Sequence, residues 1–338
     1  MDGDTVKSAN DYMTKILKQT MVTIDNEGFQ ISLYDFYTFV ETIYLSWRNI
    51  QDDSFPNAHK FLERFPLFNN GYNIKRVHAI ELVDKLVKQL AWKFTHITER
   101  IAWIEPVNKQ PSGDINNSDL YNNYLVHIEK PESECLEVDG NKRSIFRVGL
   151  GTEEGIKWLS VTPEKLGRQG LLNKFPLKVY IQKHAVDRIK ERLGDNFHKL
   201  NFFLIASAII NCEVSPVEGD GILISCKFNS LKVGYLKACI IGDKVLIRTF
   251  LFLTNNSTPE GNKLETLLGI QKEDKKYLGI DKLNLFINSD IEQNENLKTI
   301  FRQAGCSHLF EIKKYLSGDQ DHFIQCAASF SKYLGLEN

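Results

Sequence analysis

The chain has 338 residues, of which 42% are hydrophobic and 25% charged, and its formal net charge is −1. This apolar content excludes an intrinsically disordered chain, and 21 Gly with 9 Pro exclude a collagen-like one. A near-neutral chain carries no global mark of a nucleic-acid or membrane binder, so any such signal must be local.

At roughly 100–200 residues per domain the length implies two or three domains. The start, Met1-Asp2-Gly3-Asp4-Thr5, is polar and acidic, unlike a secretory signal. No apolar run approaches the roughly 20 residues of a membrane span, so no membrane contact is expected. The six cysteines are scattered without a CxxC pair. They suggest neither a disulfide framework nor a zinc site but free thiols in a reducing, cytoplasmic setting, with no metal and no cofactor.

The expected fold class is α+β. An all-helical N-terminal domain occupies 1–107, a linker 108–123, an α+β domain with an antiparallel β-meander 124–259, and a helical C-terminal region 260–338. In the first domain, 33–50 carries Phe36, Phe39, Val40, Ile43, Tyr44 and Trp47 at helical spacing, and 58–65 reads as a short helix. A long helix is expected over 74–104. There Ile80, Val83, Val87, Leu90, Phe94, Ile97, Ile101 and Ile104 alternate steps of three and four, a heptad seam. Such a seam either packs within its own domain or joins a homo-oligomer or protein partner through Leu90, Phe94 and Ile97.

Residues 108–123 are rich in turn formers and poor in apolar side chains. Short strands are expected at 124–129, 135–138 and 145–148, with Asp139-Gly140-Asn141-Lys142 as the turn between the last two. Gly149 to Gly155 spells GxGxxxG, but strand-like sequence follows where a dinucleotide fold needs a helix. Thr162-Pro163 reads as a helix start. A strand at 177–181 runs into a helix from Lys183 that Gly194 ends, followed by a buried helix at 197–211. Three strands come next, 222–228, 233–241 and 244–253, the last two joined by Gly242-Asp243. Short amphipathic segments at 264–268, 297–301, 309–316 and 323–334 close the chain.

The helix from Lys183 holds the chemistry. His184, Arg188 and Arg192 are four apart and share one face, with Val186, Ile189 and Leu193 opposite. Cleaving RNA without a metal needs a group that moves the 2′-hydroxyl proton and cations that hold the phosphate as charge builds. Imidazole serves the first need and guanidinium the second. Lysines and arginines also outnumber acids across 178–254, as a phosphate-binding face requires. The same stripe, with Asp187 and Glu191 beside it, also fits a solvated helix face whose charges pair with one another.

The run His184-Ala185-x-x-Arg188-x-x-x-Arg192, with a following helix and a meander ending Ile247-Arg248-Thr249-Phe250, resembles the RelE/BrnT-type ribonuclease toxins. More broadly it is similar to the barnase–colicin–RelE-like group of metal-independent ribonucleases. The resemblance spans residues 178–254 only. It implies a helix packed on a four-stranded antiparallel sheet, with catalytic groups at the edge of helix and sheet. Those toxins are small single domains, whereas here the segment lies between other regions. No second His occurs late in the meander, so Tyr235, Arg248 and Thr249 are the candidates for the partner of His184. The expected function is therefore an RNA-binding or RNA-cleaving effector using His184, Arg188, Arg192, Arg248, Thr249 and Tyr235. The alternative is a non-enzymatic scaffold assembled through the 74–104 helix.

Overall fold

A computed structural model of the chain describes residues 3–23, 29–40, 94–107, 123–152, 154–168, 175–194, 201–215 and 221–315, with isolated positions between 43 and 91. Two compact units emerge: 1–91 with 103–127 and 152–155, and 92–102 with 128–151 and 156–338. Among the described residues no helix is long and apolar enough to cross a membrane.

In the first unit, helix α1 (Gly3–Gln19) leads into strands β1 (Met21–Thr23) and β2 (Gln30–Ser32), which pair antiparallel. Ser32 caps the short helix α2 (Leu33–Asp35): its hydroxyl accepts from the Asp35 N–H at 3.0 Å and donates to the Asp35 carboxylate at 2.6 Å. Val22, Leu33, Phe36 and Ala79 form the buried centre of this unit. The N-terminal region is thus not all-helical, because β-branched Val22 and Thr23 pair with Ile31 and Gln30 in a small sheet.

The long helix also ends sooner than the heptad seam suggests. The described positions from 78 to 94 are helical, but Ile97 sits in a turn, and Ile101 and Ile104 belong to strand β3 (Ile101–Val107), which pairs with β4 (Asn123–Glu129). The change falls where β-branched residues crowd: Thr95, Ile97, Thr98 and Ile101. The Thr95 hydroxyl accepts from the Ala102 N–H at 3.0 Å, and the His96 and Arg100 backbones bond each other, closing the turn. Ile97 is buried in the core of the second unit, so it offers nothing to a partner; Leu90 lies outside the described residues. So do 108–122 of the expected linker and the expected helix at 323–334.

The second unit is built on one mixed sheet. Its strands are β5 (Ser133–Val138), β6 (Asn141–Arg147), β9 (Ser160–Val161), β10 (Leu177–Gln182), β11 (Val214–Ser215), β12 (Ile222–Phe228), β13 (Leu231–Ile241) and β14 (Lys244–Phe252). The order across it is β11-β12-β13-β14-β10-β6-β5, with β9 beside the start of β10. A small pair, β7 (Gly149–Thr152) and β8 (Gly155–Trp158), lies outside it. The antiparallel meander β12–β14 stands as the sequence suggests. The sheet is larger than the four antiparallel strands implied by the resemblance, and β10 runs parallel to β14. The helices after β10 supply the crossover that parallel neighbours require.

Helix α3 (Lys183–Leu193) follows β10 without a loop and buries Ala185, Val186, Ile189 and Leu193 against the sheet, chiefly on β14. Gly194, at φ 81°, ends it, its N–H bonding the Lys190 carbonyl. Helix α4 (Asn201–Asn211) is apolar on most sides and packs on β12. The C-terminal helices are α5 (Pro259–Leu268), α6 (Lys272–Tyr277), α7 (Leu283–Asn288), α8 (Glu295–Gln303) and α9 (His308–Glu311); α5, α7, α8 and α9 place side chains in this same core rather than forming one of their own. Phe286 meets Phe301 edge-on at 5.3 Å, and Phe252 of the sheet lies beside it.

Candidate active site

Three local features converge at the carboxyl end of β10. The first is the turn between β5 and β6. Asp139 and Gly140 both have positive φ, 51° and 74°, as a two-residue hairpin turn demands. The second is the start of α3, where Gln182 is extended and its side chain does not cap the helix. The first-turn N–H groups stand at the positive end of the helix dipole.

The third is a β-bulge in β14. Lys237 pairs with Thr249 and Ala238 with Ile247, which leaves Arg248 unmatched. A bulge places two successive side chains on the same side of the sheet, and here they are Arg248 and Thr249.

These features enclose a cleft of about 700 Å³. One wall is the hairpin, with Val138, Asp139 and residues 141–144; the other is Arg248 and Thr249 with Lys237 of β13; Gln182, Lys183 and His184 lie between them. Five of the lining side chains are lysine or arginine (Lys142, Arg143, Lys183, Lys237, Arg248), and one is acidic, Asp139. Crowding that many cations around one concavity favours an anionic occupant.

Of the residues singled out from sequence, His184, Arg248 and Thr249 share this cleft. His184 is exposed, and its Nε2 accepts from the Arg188 Nε–H at 3.4 Å. Arg188 therefore sits beside the imidazole, one turn along the helix, and its Nη1 donates to the Glu191 carboxylate. Burial alone would raise the Glu191 pKa, but the charges of Arg192 and Arg188 outweigh it and hold the group below the usual carboxylate range. Arg248 donates from Nη2 to Asp139 across the cleft.

Arg192 and Tyr235 lie elsewhere. Arg192 is turned inward, only 14% exposed, and forms an ion pair with the buried Asp281, whose backbone carbonyl it also approaches. Its place at the end of α3, where the C-terminal helices pack, turns it into a structural clamp. Tyr235 is fully buried. Its hydroxyl donates to Glu260 of α5 at 3.0 Å and accepts from Lys232 at 3.0 Å, while the Lys232 backbone N–H donates to His308 of α9 at 3.1 Å. Burial raises the Tyr235 pKa, so this phenol neither meets the cleft nor yields its proton easily.

Sequence reasoning missed the hairpin wall, Asp139, Lys142 and Arg143, and did not single out Lys237. The Lys142-Arg143 pair after an Asp-Gly turn was the available signal; that β6 lies two strands from β14 is not written locally. Among the described residues no three His, Cys, Asp or Glu side chains gather as a metal's ligands. Compared with known proteins, the chain matches no family model, no curated sequence and no solved structure.

Proposed function

We propose that the cleft binds the phosphate backbone of RNA and that His184 moves protons in its cleavage. The meeting of His184, Arg248 and Thr249 with four further cationic side chains in one concavity carries this reading. In the reaction the 2′-oxygen attacks the adjacent phosphorus as His184 takes its proton. Arg248 and Lys237 neutralise the non-bridging oxygens, where negative charge grows. The bond to the 5′-oxygen breaks, and that oxygen takes a proton from a lining lysine ammonium or from water, leaving a 2′,3′-cyclic phosphate and a 5′-hydroxyl. Thr249, on the bulge beside Arg248, offers a hydroxyl to the same phosphate.

Incubating labelled RNA with purified protein in EDTA tests this reading. Cleavage to cyclic-phosphate ends is expected. His184→Ala and Arg248→Ala should each slow it by about a hundredfold or more while folding normally. Failure of the wild-type protein to bind or cut any RNA in a broad panel removes the proposal.

A further inference from the structure

The cleft exists because β10 is shorter than its two neighbours. Its pairing with β6 ends at Gln182–Ile145, and its pairing with β14 ends at Ile181–Ile247. Beyond that point the chain dives into α3. β6 continues through 141–144 paired only to β5, and β14 continues through 248–252 paired only to β13, among the described residues. What remains between them is a slot one strand wide, with the first turn of α3 below it. Neighbouring strands stand about 4.8 Å apart, so the two walls are separated by about 10 Å.

Both walls are cationic: Lys142 and Arg143 belong to one, Lys237 and Arg248 to the other. Among the described residues no Phe, Tyr or Trp side chain lines the slot, and His184 is its one aromatic ring. Proteins usually grip the bases of single strands by stacking them on a row of aromatic rings, and one imidazole assigned to proton transfer does not make such a row. Beside the cleft, 141–144 and 248–249 have no strand paired on their inner edge among the described residues, and backbone N–H and C=O groups on such an edge are partners for a ribose 2′-hydroxyl or a phosphate oxygen.

We infer that the slot selects single-stranded RNA and reads its ribose–phosphate backbone, leaving the bases outside and their identity unread. The inference rests on the function proposed above. A single strand threaded between the walls brings its phosphates within reach of cations on both sides. A double helix is far wider than one missing strand and can touch only the rims. The alternative occupant, an acidic extended peptide filling the missing strand position, gains hydrogen bonds to both edges but no use for His184.

Fluorescence anisotropy decides the matter with labelled oligouridine, oligocytidine and a mixed-sequence RNA of equal length, each also annealed to its complement, and with oligoglutamate. Single strands are expected to bind at least about tenfold tighter than their duplexes, with sequences agreeing within about threefold. Lys237→Ala and a Lys142→Ala/Arg143→Ala double variant should each weaken binding about tenfold without changing the melting temperature. Duplex binding as tight as single-strand binding, or a preference between sequences above about tenfold, overturns the inference while the proposed function survives. Oligoglutamate binding more tightly than any RNA overturns both, as does the absence of binding by every RNA.

Discussion

Arg248, the unmatched residue of the β14 bulge, donates to the carboxylate of Asp139 at the tip of the opposite hairpin. The bond spans the cleft from wall to wall, so the protein's own acid occupies a guanidinium that an incoming phosphate would need. Both partners are exposed, at 37% and 69%, which makes the pair weak and replaceable. Asp139→Asn keeps the shape and tolerates the positive φ. It should raise affinity for single-stranded RNA by about two- to fivefold in an anisotropy titration, with stability nearly unchanged.

Arg192 behaves differently despite sharing a face with His184. Its pair with Asp281 is buried, the two side chains being 14% and 4% exposed. Removing one member leaves a charge stranded, so Arg192→Ala should cost about 3–5 kcal/mol in urea denaturation. Arg188→Ala, on an exposed helix pair, should cost less than about 0.5 kcal/mol. Equal losses for the two variants would remove the structural role given to Arg192.

Tyr180 lies buried in β10, and its pKa is pushed up to about 12 by burial and by its hydrogen bond to the Glu134 carboxylate. The folded chain thus holds this proton after the unfolded chain, ordinary at about 10, has released it. The resulting stabilisation is complete below about pH 10 and is lost as pH rises towards 12. Chemical denaturation across that window should show wild-type stability falling more steeply than that of Tyr180→Phe. Parallel curves would contradict the assignment.

Gly261, in the first turn of α5, has no room for a side chain. An added Cβ would stand 1.9 Å from the Asn255 carbonyl oxygen, a backbone atom that cannot swing away. Lys275 also donates to the Gly261 carbonyl at 2.7 Å, tying α6 to the same turn. Gly261→Ala should therefore destabilise by more than about 3 kcal/mol in thermal or urea melts. A variant as stable as wild type would mean that the turn is packed differently.

The sequence made α3 and the meander legible because both are local patterns: Ala185, Val186, Ile189 and Leu193 recur at helical spacing, and Gly242-Asp243 marks its own turn. The end of the long helix was not legible, because isoleucines at heptad spacing also serve a turn and a strand once threonine hydroxyls bond the backbone there. The site was legible in part. His184 announces itself at a strand–helix junction, and Arg248-Thr249 late in the meander. The role of Arg192 was not, since Asp281 comes to it from 89 residues away. Nor was the hairpin wall, because the short length of β10 is a property of pairing among β6, β10 and β14 and not of any one segment.

The most direct measurement is an amide chemical-shift titration of isotope-labelled protein with a short single-stranded RNA carrying 2′-O-methyl groups, which binds without being cut. Shifts concentrated at Lys183, His184, Lys237, Arg248 and Thr249, with Arg192 and Tyr235 unmoved, are the predicted result. A saturating titration that leaves those five amides in place, or moves a different face of the protein, contradicts the assignment of this cleft as the seat of the RNA backbone.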